Sequence, residues 1–191
     1  MELTGKTALI TGASSGIGYA TALAFARRGV HIVVTARTLE RLEALVSAVG
    51  SLPAPHGEIL PLAVDVRDPA AVDAAVQRFG RLDILIANAG VGQRGSLIDS
   101  PLEDIQAVFR TNIDGVIFAV RAVVPLMRQA GGGHIVIISS VVANMITPYT
   151  ASYSASKAAV SSLARALRYE LEADHIGVSD LLVGRTATEF N

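Results

Sequence analysis

The chain of 191 residues has no cysteine, which excludes disulfides, thiolate metal sites and cysteine nucleophiles together. It has no tryptophan and only 5% aromatic residues, so a stacking platform for sugars or bases is not indicated. Neither sign of charge dominates. The formal net charge of -1 gives no basis for a nucleic-acid surface. No apolar run approaches the roughly 18 residues of a membrane span. The opening MELTGKTALITG lacks the charged, apolar and small-residue regions of a signal peptide. His31, His56, His134 and His175 are scattered without metal-ligand spacing, so no metal site is expected. A soluble, cytoplasmic protein is the expectation.

What the chain does have is apolar mass. At 51% hydrophobic and 17% charged residues, disorder is not expected and a large buried sheet is. The length suits one domain over residues 1–191, large enough for a substantial core. Buried-strand patterns alternate with helical ones throughout, with no internal repeat and no linker. That order predicts an α/β protein, a doubly wound parallel sheet of Rossmann type with α/β/α layers and right-handed crossovers.

The first strand, Lys6–Ile10, runs into Thr11-Gly12-Ala13-Ser14-Ser15-Gly16-Ile17-Gly18. Beyond it Tyr19–Arg28 reads as a helix closed by Gly29. Strand, glycine-rich turn and helix form the context of a phosphate-binding turn. Gly12 permits the tight turn, Gly16 close backbone approach to a pyrophosphate, and Gly18 close helix packing. The helix N-terminus offers free N–H groups to the anion. The second strand, His31–Ala36, ends at Arg37. An acid there would accept a ribose 2′-hydroxyl, whereas arginine accommodates a 2′-phosphate. With no acid present, NADP(H) is favoured over NAD(H), with Thr35 or Thr38 adding hydroxyls; the plain alternative is a solvated arginine.

Thr38–Val49 reads as an amphipathic helix capped by Thr38. A third buried strand, Glu58–Val64, ends at Asp65-Val66, followed by an Asp68 cap and a helix over Pro69–Phe79. Asp65 either accepts a hydrogen bond from an adenine amino group or stabilises its own turn. The fourth strand, Leu82–Ala87, leads into Asn88-Ala89-Gly90, small residues that let backbone approach a flat ligand while Asn88 bonds to a neighbouring strand. Ser100-Pro101-Leu102-Glu103 reads as a capping box opening the longest helix, Pro101–Arg128. Within it Asn112 either faces water or turns inward toward the site. The helices Pro101–Arg128 and Ser152–Leu171 carry apolar faces that suggest a homodimer or homotetramer.

The remaining stretch runs from His134 to Lys157. The apolar run Ile135–Ile138 stops at Ser139 and Ser140, and a later helix places Lys157 one turn after Tyr153. A cation beside the phenol would lower the pKa of Tyr153 from about 10. With Ser140 holding a substrate oxygen, this makes a proton-transfer device for an alcohol or carbonyl. On this stretch alone, an ordinary half-exposed helix face is an equal reading. The sixth strand, Ile176–Val183, opens a final loop with Thr186 and Thr188. Every one of these loops follows a strand, so all gather at the carboxyl edge of the sheet, where such folds bind ligands.

Taken jointly, these residues resemble the short-chain dehydrogenase/reductase family over essentially the whole chain. Thr11-Gly12-x-x-x-Gly16-x-Gly18 matches its cofactor motif and Asn88-Ala89-Gly90 its sheet-stabilising motif. Asn112, Ser140, Tyr153 and Lys157 match its catalytic tetrad. The resemblance implies that Tyr153 is the general acid/base, that Ser140 orients the substrate oxygen and that Lys157 binds the nicotinamide ribose. It further implies that Asn112 holds a relay water and that NADP(H) exchanges hydride with a secondary alcohol or carbonyl. The alternative from another class is a catalytically inactive nucleotide-binding module, a sensor or scaffold on the same fold. Three features depart from the family pattern. Val183 replaces a proline and Thr186 a branched apolar residue. The helix after Asp68 is about a turn short. The sequence ends at Asn191, before the family's last strand and substrate lid, which would leave an apolar sixth strand, with Val178, Leu181, Leu182 and Val183, at an exposed edge.

Overall fold

The computed structural model describes residues 2–145 and 147–186. Six strands alternate with helices along the chain: β1 (Thr7–Thr11), α1 (Gly16–Ala26), β2 (His31–Ala36), α2 (Glu43–Gly50), β3 (Ile59–Ala63), α3 (Pro69–Val76) and β4 (Ile84–Ala87). There follow α4 (Leu102–Phe109), α5 (Gly115–Gln129), β5 (Gly133–Ser140), α6 (Ala151–Glu170) and β6 (Ile176–Val183). All pairings are parallel, in the order β3-β2-β1-β4-β5-β6. The chain therefore winds outward twice from the centre, and the direction reverses between β1 and β4. A cleft opens at such a reversal.

Strand residues alternate between two cores, as the pleat requires. Ala8, Ile10, Ile32, Val34, Ile84 and Ile86 meet Ala22 and Ala26 of α1 and Leu45 and Val49 of α2. Leu9, Val33, Leu85, Ile135, Ile137 and Val178 meet α3, α5 and α6 through Val72, Val76, Val123, Met127, Val160 and Ala164. Leu85 and Ile135 are fully buried. Each such side chain contributes about 1.5–3 kcal/mol by leaving water.

Local signals act at some helix ends and lose at others. The Asp68 carboxylate accepts from the Ala70 and Ala71 N–H groups at 2.9 and 3.2 Å, with Pro69 in the first turn. Gly29, at φ +73°, closes the chain behind α1. Thr38 caps nothing, because a 3₁₀ turn at Glu40–Leu42 precedes α2. The expected capping box fails as well. Pro101 is extended, so α4 starts at Leu102, and the Ser100 hydroxyl donates to the Ser96 carbonyl at 2.6 Å instead. β3 is an edge strand and only Leu62 in it is buried, which also explains why Pro61 is tolerated there. β6 lies at the other edge of the described sheet, with Val178 buried but Leu181 and Leu182 exposed.

The expected long helix is interrupted. Between α4 and α5 the residues Arg110–Asp114 form a π turn. A π turn admits one extra residue and re-aims the side chains on it. Among the described residues, no helix is long and apolar enough to cross a membrane.

Candidate active site

A cavity of about 690 Å³ runs along the carboxyl edge of the sheet. Its walls include Gly12, Ser14, Ser15, Gly16 and Ile17, then Arg37, Asp65 and Val66, then Asn88, Ala89 and Gly90. Ser140, Tyr153, Lys157 and Thr186 complete it. These residues lie far apart in sequence, and the parallel topology brings them together. Thr188 lies outside the described residues.

Two expected residues stand behind the wall. Gly18 is buried. A Cβ on it would fall 2.5 Å from the Gly12 carbonyl and 2.6 Å from the Asn88 amide, so only glycine lets α1 seat this closely. Asn112 is 1% exposed and turned inward from the π turn. Its Oδ1 accepts from the Val91 N–H at 2.8 Å, and its Nδ2 donates to the Val91 carbonyl and to Ser156 Oγ, each at 3.0 Å. The side chain is thus committed to protein groups rather than open to a water. Ser156, which sequence reasoning passed over, in turn donates to the Tyr153 carbonyl at 2.7 Å. Its place three residues after Tyr153, on one helix face, was the available signal.

Asn88 ties the glycine turn to the sheet. Its Nδ2 donates to the Thr11 and Gly12 carbonyls at 3.0 Å, while Thr11 Oγ1 accepts from the Asn88 and Ala89 N–H groups. Gly12, at φ +65°, has no room for a side chain: a Cβ would lie 2.7 Å from Ala89 Cα. Ser15 does not cap α1 with its side chain, so the first-turn N–H groups keep the vacancy every α-helix start has. A small-residue cradle and an uncapped helix start fit a pyrophosphate.

At the far end of the cavity Arg37 is joined by Arg41 and Arg67. Asp65 lines the cavity with its carboxylate engaged by Arg67. Arg67 Nε donates to both its oxygens at 3.0 Å, and the Arg67 Nη2–Oδ2 contact completes a bidentate pair. The Arg67 hydrogen bonds hold the Asp65 carboxyl below its usual range against some opposition from burial, and Arg37 adds to the effect.

Around Tyr153 the electrostatics also differ from expectation. Burial pushes the phenol pKa up, and a hydrogen bond with Ser140 opposes it. The Lys157 ammonium sits over the Tyr153 ring. It donates to the Ile138 carbonyl at 2.8 Å and lies 5.9 Å from the ring centre. At 5% exposed, Lys157 is pushed down to about 8 by burial, with Asp180 opposing. Ser140 Oγ meanwhile donates to the Val183 carbonyl at 3.3 Å and accepts from the Val142 N–H. The resulting arrangement sets a hydroxyl, a phenol and an ammonium along one wall, a geometry suited to moving a proton at a ligand oxygen.

Comparison with known proteins agrees with this geometry. The short chain dehydrogenase family model matches residues 6–191. The 3-oxoacyl-(acyl-carrier-protein) reductase FabG of Thermotoga maritima is 37% identical over 188 residues, 96% of this chain and 75% of that protein. A crystal structure of a short-chain type dehydrogenase/reductase from Mycobacterium marinum superposes with TM-score 0.94 at 34% identity, covering 99% of this chain and 76% of that one. One from Burkholderia phymatum, in complex with NAD, superposes with TM-score 0.93 at 34% identity, covering all of this chain and 69% of that one.

Proposed function

The chain belongs to the short-chain dehydrogenase/reductase family, and on that premise we propose that it is an NADP(H)-dependent oxidoreductase interconverting a secondary alcohol and a carbonyl compound. The observation that carries this reading is the convergence of the Gly12–Gly18 turn, Ser140, Tyr153 and Lys157 on one cavity. The bound nicotinamide supplies or accepts the hydride. Gly12, Ser14, Ser15, Gly16 and Ile17 hold the pyrophosphate against the start of α1. Val66 and Asn88–Gly90 would flank the adenosine and nicotinamide ends, and Thr186 and Thr188 are assigned to nicotinamide binding.

Tyr153 gives a proton to the carbonyl oxygen in reduction and takes it from the hydroxyl in oxidation. Ser140 donates to the same oxygen, which requires its hydroxyl to turn from the Val183 carbonyl. Lys157 binds the nicotinamide ribose and, drawn toward it, brings its charge to bear on the phenol. Asn112 fixes the Val91 backbone and, through Ser156, the start of α6. The relay water that the resemblance assigns to Asn112 stays part of this proposal, with the Asn112 side chain itself held by Val91 and Ser156.

The NADP(H) preference rests on Arg37 and the absence of an acid at the end of β2, and Arg41 on the same wall strengthens it. Asp65, held by Arg67, takes the turn-stabilising role. We place the enzyme in the cytoplasm, as a single domain assembling into a homodimer or homotetramer through its outer helices. Titration of cofactor fluorescence with NADPH and NADH tests the reading. Tighter binding of NADPH supports it, tighter binding of NADH removes the Arg37 assignment, and binding of neither removes the function. Binding without turnover of any ketone would favour a nucleotide-binding module.

A further inference from the structure

The tetrad residues leave one charged group beneath the site without a role. Asp180 sits in β6 opposite Ile137 of β5. Ile176 and Val178 of the same strand pack into the core under α6, so strand alternation points Asp180 to that same face. Its Oδ1 is out of solvent and accepts no hydrogen bond among the described residues. No lysine, arginine or histidine forms an ion pair with it among the described residues. An unpaired buried carboxylate oxygen is costly and calls for an explanation.

The neighbours supply one. Ser139, two residues along β5 from Ile137, donates to the Lys157 carbonyl at 3.2 Å and bonds Ser161 Oγ at 2.7 Å, so this layer is polar rather than apolar. α6 presents two cations toward β6. Arg168 is spent on the Val178 carbonyl at 3.1 Å. The Lys157 ammonium lies at the level of Ile138, whose partner in β6 is Leu181, the residue after Asp180. Gly90 and Asn112, which come close to the ammonium, carry no charge, and Tyr153 is its titratable neighbour on α6. Burial works against the charged lysine, and the field of Asp180 works for it.

We propose that Asp180 is a positioning residue, a half-buried countercharge that keeps the Lys157 ammonium charged while that residue serves the reaction. The inference rests on the proposed role of Lys157. It makes the unpaired oxygen purposeful: a tight ion pair would pull the ammonium away from the ribose and the phenol, whereas a charge held at a distance supports it without competing for its hydrogen bonds.

The test reads Lys157 itself. Protein carrying ¹³Cε-labelled lysine is titrated by NMR, with the Lys157 resonance identified by its loss in Lys157→Arg. In Asp180→Asn, and in Asp180→Val for a side chain that needs no partner, the Lys157 midpoint is expected to fall by about one pH unit. Turnover at neutral pH should fall with it. An unchanged Lys157 midpoint in a folded variant would overturn the proposal even if activity fell. Failure of both variants to fold would make Asp180 structural and overturn it too. Absence of cofactor binding in the parent would instead strike the proposed function, and the Lys157 shift would still be readable.

Discussion

The two ends of the parallel sheet handle charge in opposite ways. At the amino edge, Asp83 is 4% exposed and accepts from Lys6 Nζ at 3.1 Å, the Thr7 N–H at 3.0 Å and Arg81 Nη2 at 2.8 Å. Burial pushes its carboxyl up, but these donors prevail and hold it below the usual range. At the carboxyl edge, Asp180 has an unpaired oxygen, Lys157 is buried with a lowered pKa, and α1 begins uncapped. Satisfied charge fastens β1 to β4, whereas at the carboxyl edge the paired Asp65 and Arg67 share the rim with the unpaired Asp180 oxygen and the buried Lys157. Stability is given up at the edge where chemistry is proposed.

The comparison is sharpened most strongly by Lys157→Met. Turnover should fall by about 10²–10⁴-fold, the range lost with a positioned proton-transfer partner, yet urea unfolding at pH 7 should show a variant at least as stable as the parent. The sign follows from linkage. Lys157 has a folded pKa near 8 against an unfolded 10.5, so its burial costs most below pH 8 and the cost fades as pH rises toward 10.5. The variant's advantage should therefore shrink between those values. A growing advantage at alkaline pH would contradict the assignment.

Asp83→Ala probes the opposite edge. It should cost about 2 kcal/mol, discounted for the exposure of Lys6 and Arg81, because Thr7 and Lys6 lose their acceptor. The cofactor affinity of the folded fraction should remain that of the parent. A weakened affinity at full folding would mean the two edges are not separable. A smaller effect is expected at the rim: Arg37→Ala should weaken NADPH binding about tenfold, near 1.4 kcal/mol, and leave NADH binding unchanged. Equal loss for both cofactors would assign Arg37 to the shared part of the dinucleotide.

Much of this was legible in the sequence because it is periodic or punctuated. Apolar runs gave the strands, β6 to its boundaries, and Asp68-Pro69 gave a helix start that the structure keeps. The convergence of Gly12–Gly18, Asn88, Ser140 and Tyr153 followed from topology alone. Three features were not legible because they depend on tertiary context. The π turn at Arg110–Asp114 packs against α6, and it places Asn112 to grip Val91 instead of facing the cavity. The capture of Asp65 by Arg67 requires a side-chain geometry that spacing does not specify. The upward push on Tyr153 reflects burial, which an i,i+4 rule does not convey.

The central claim is that Tyr153 moves the proton in a reaction driven by a bound nicotinamide. Its most direct test measures NADPH affinity and ketone-dependent NADPH oxidation side by side in the parent and in Tyr153→Phe. The account predicts affinities within about threefold of each other and a turnover at least about 10²-fold lower in the variant. Turnover by Tyr153→Phe at the parent's rate would contradict it.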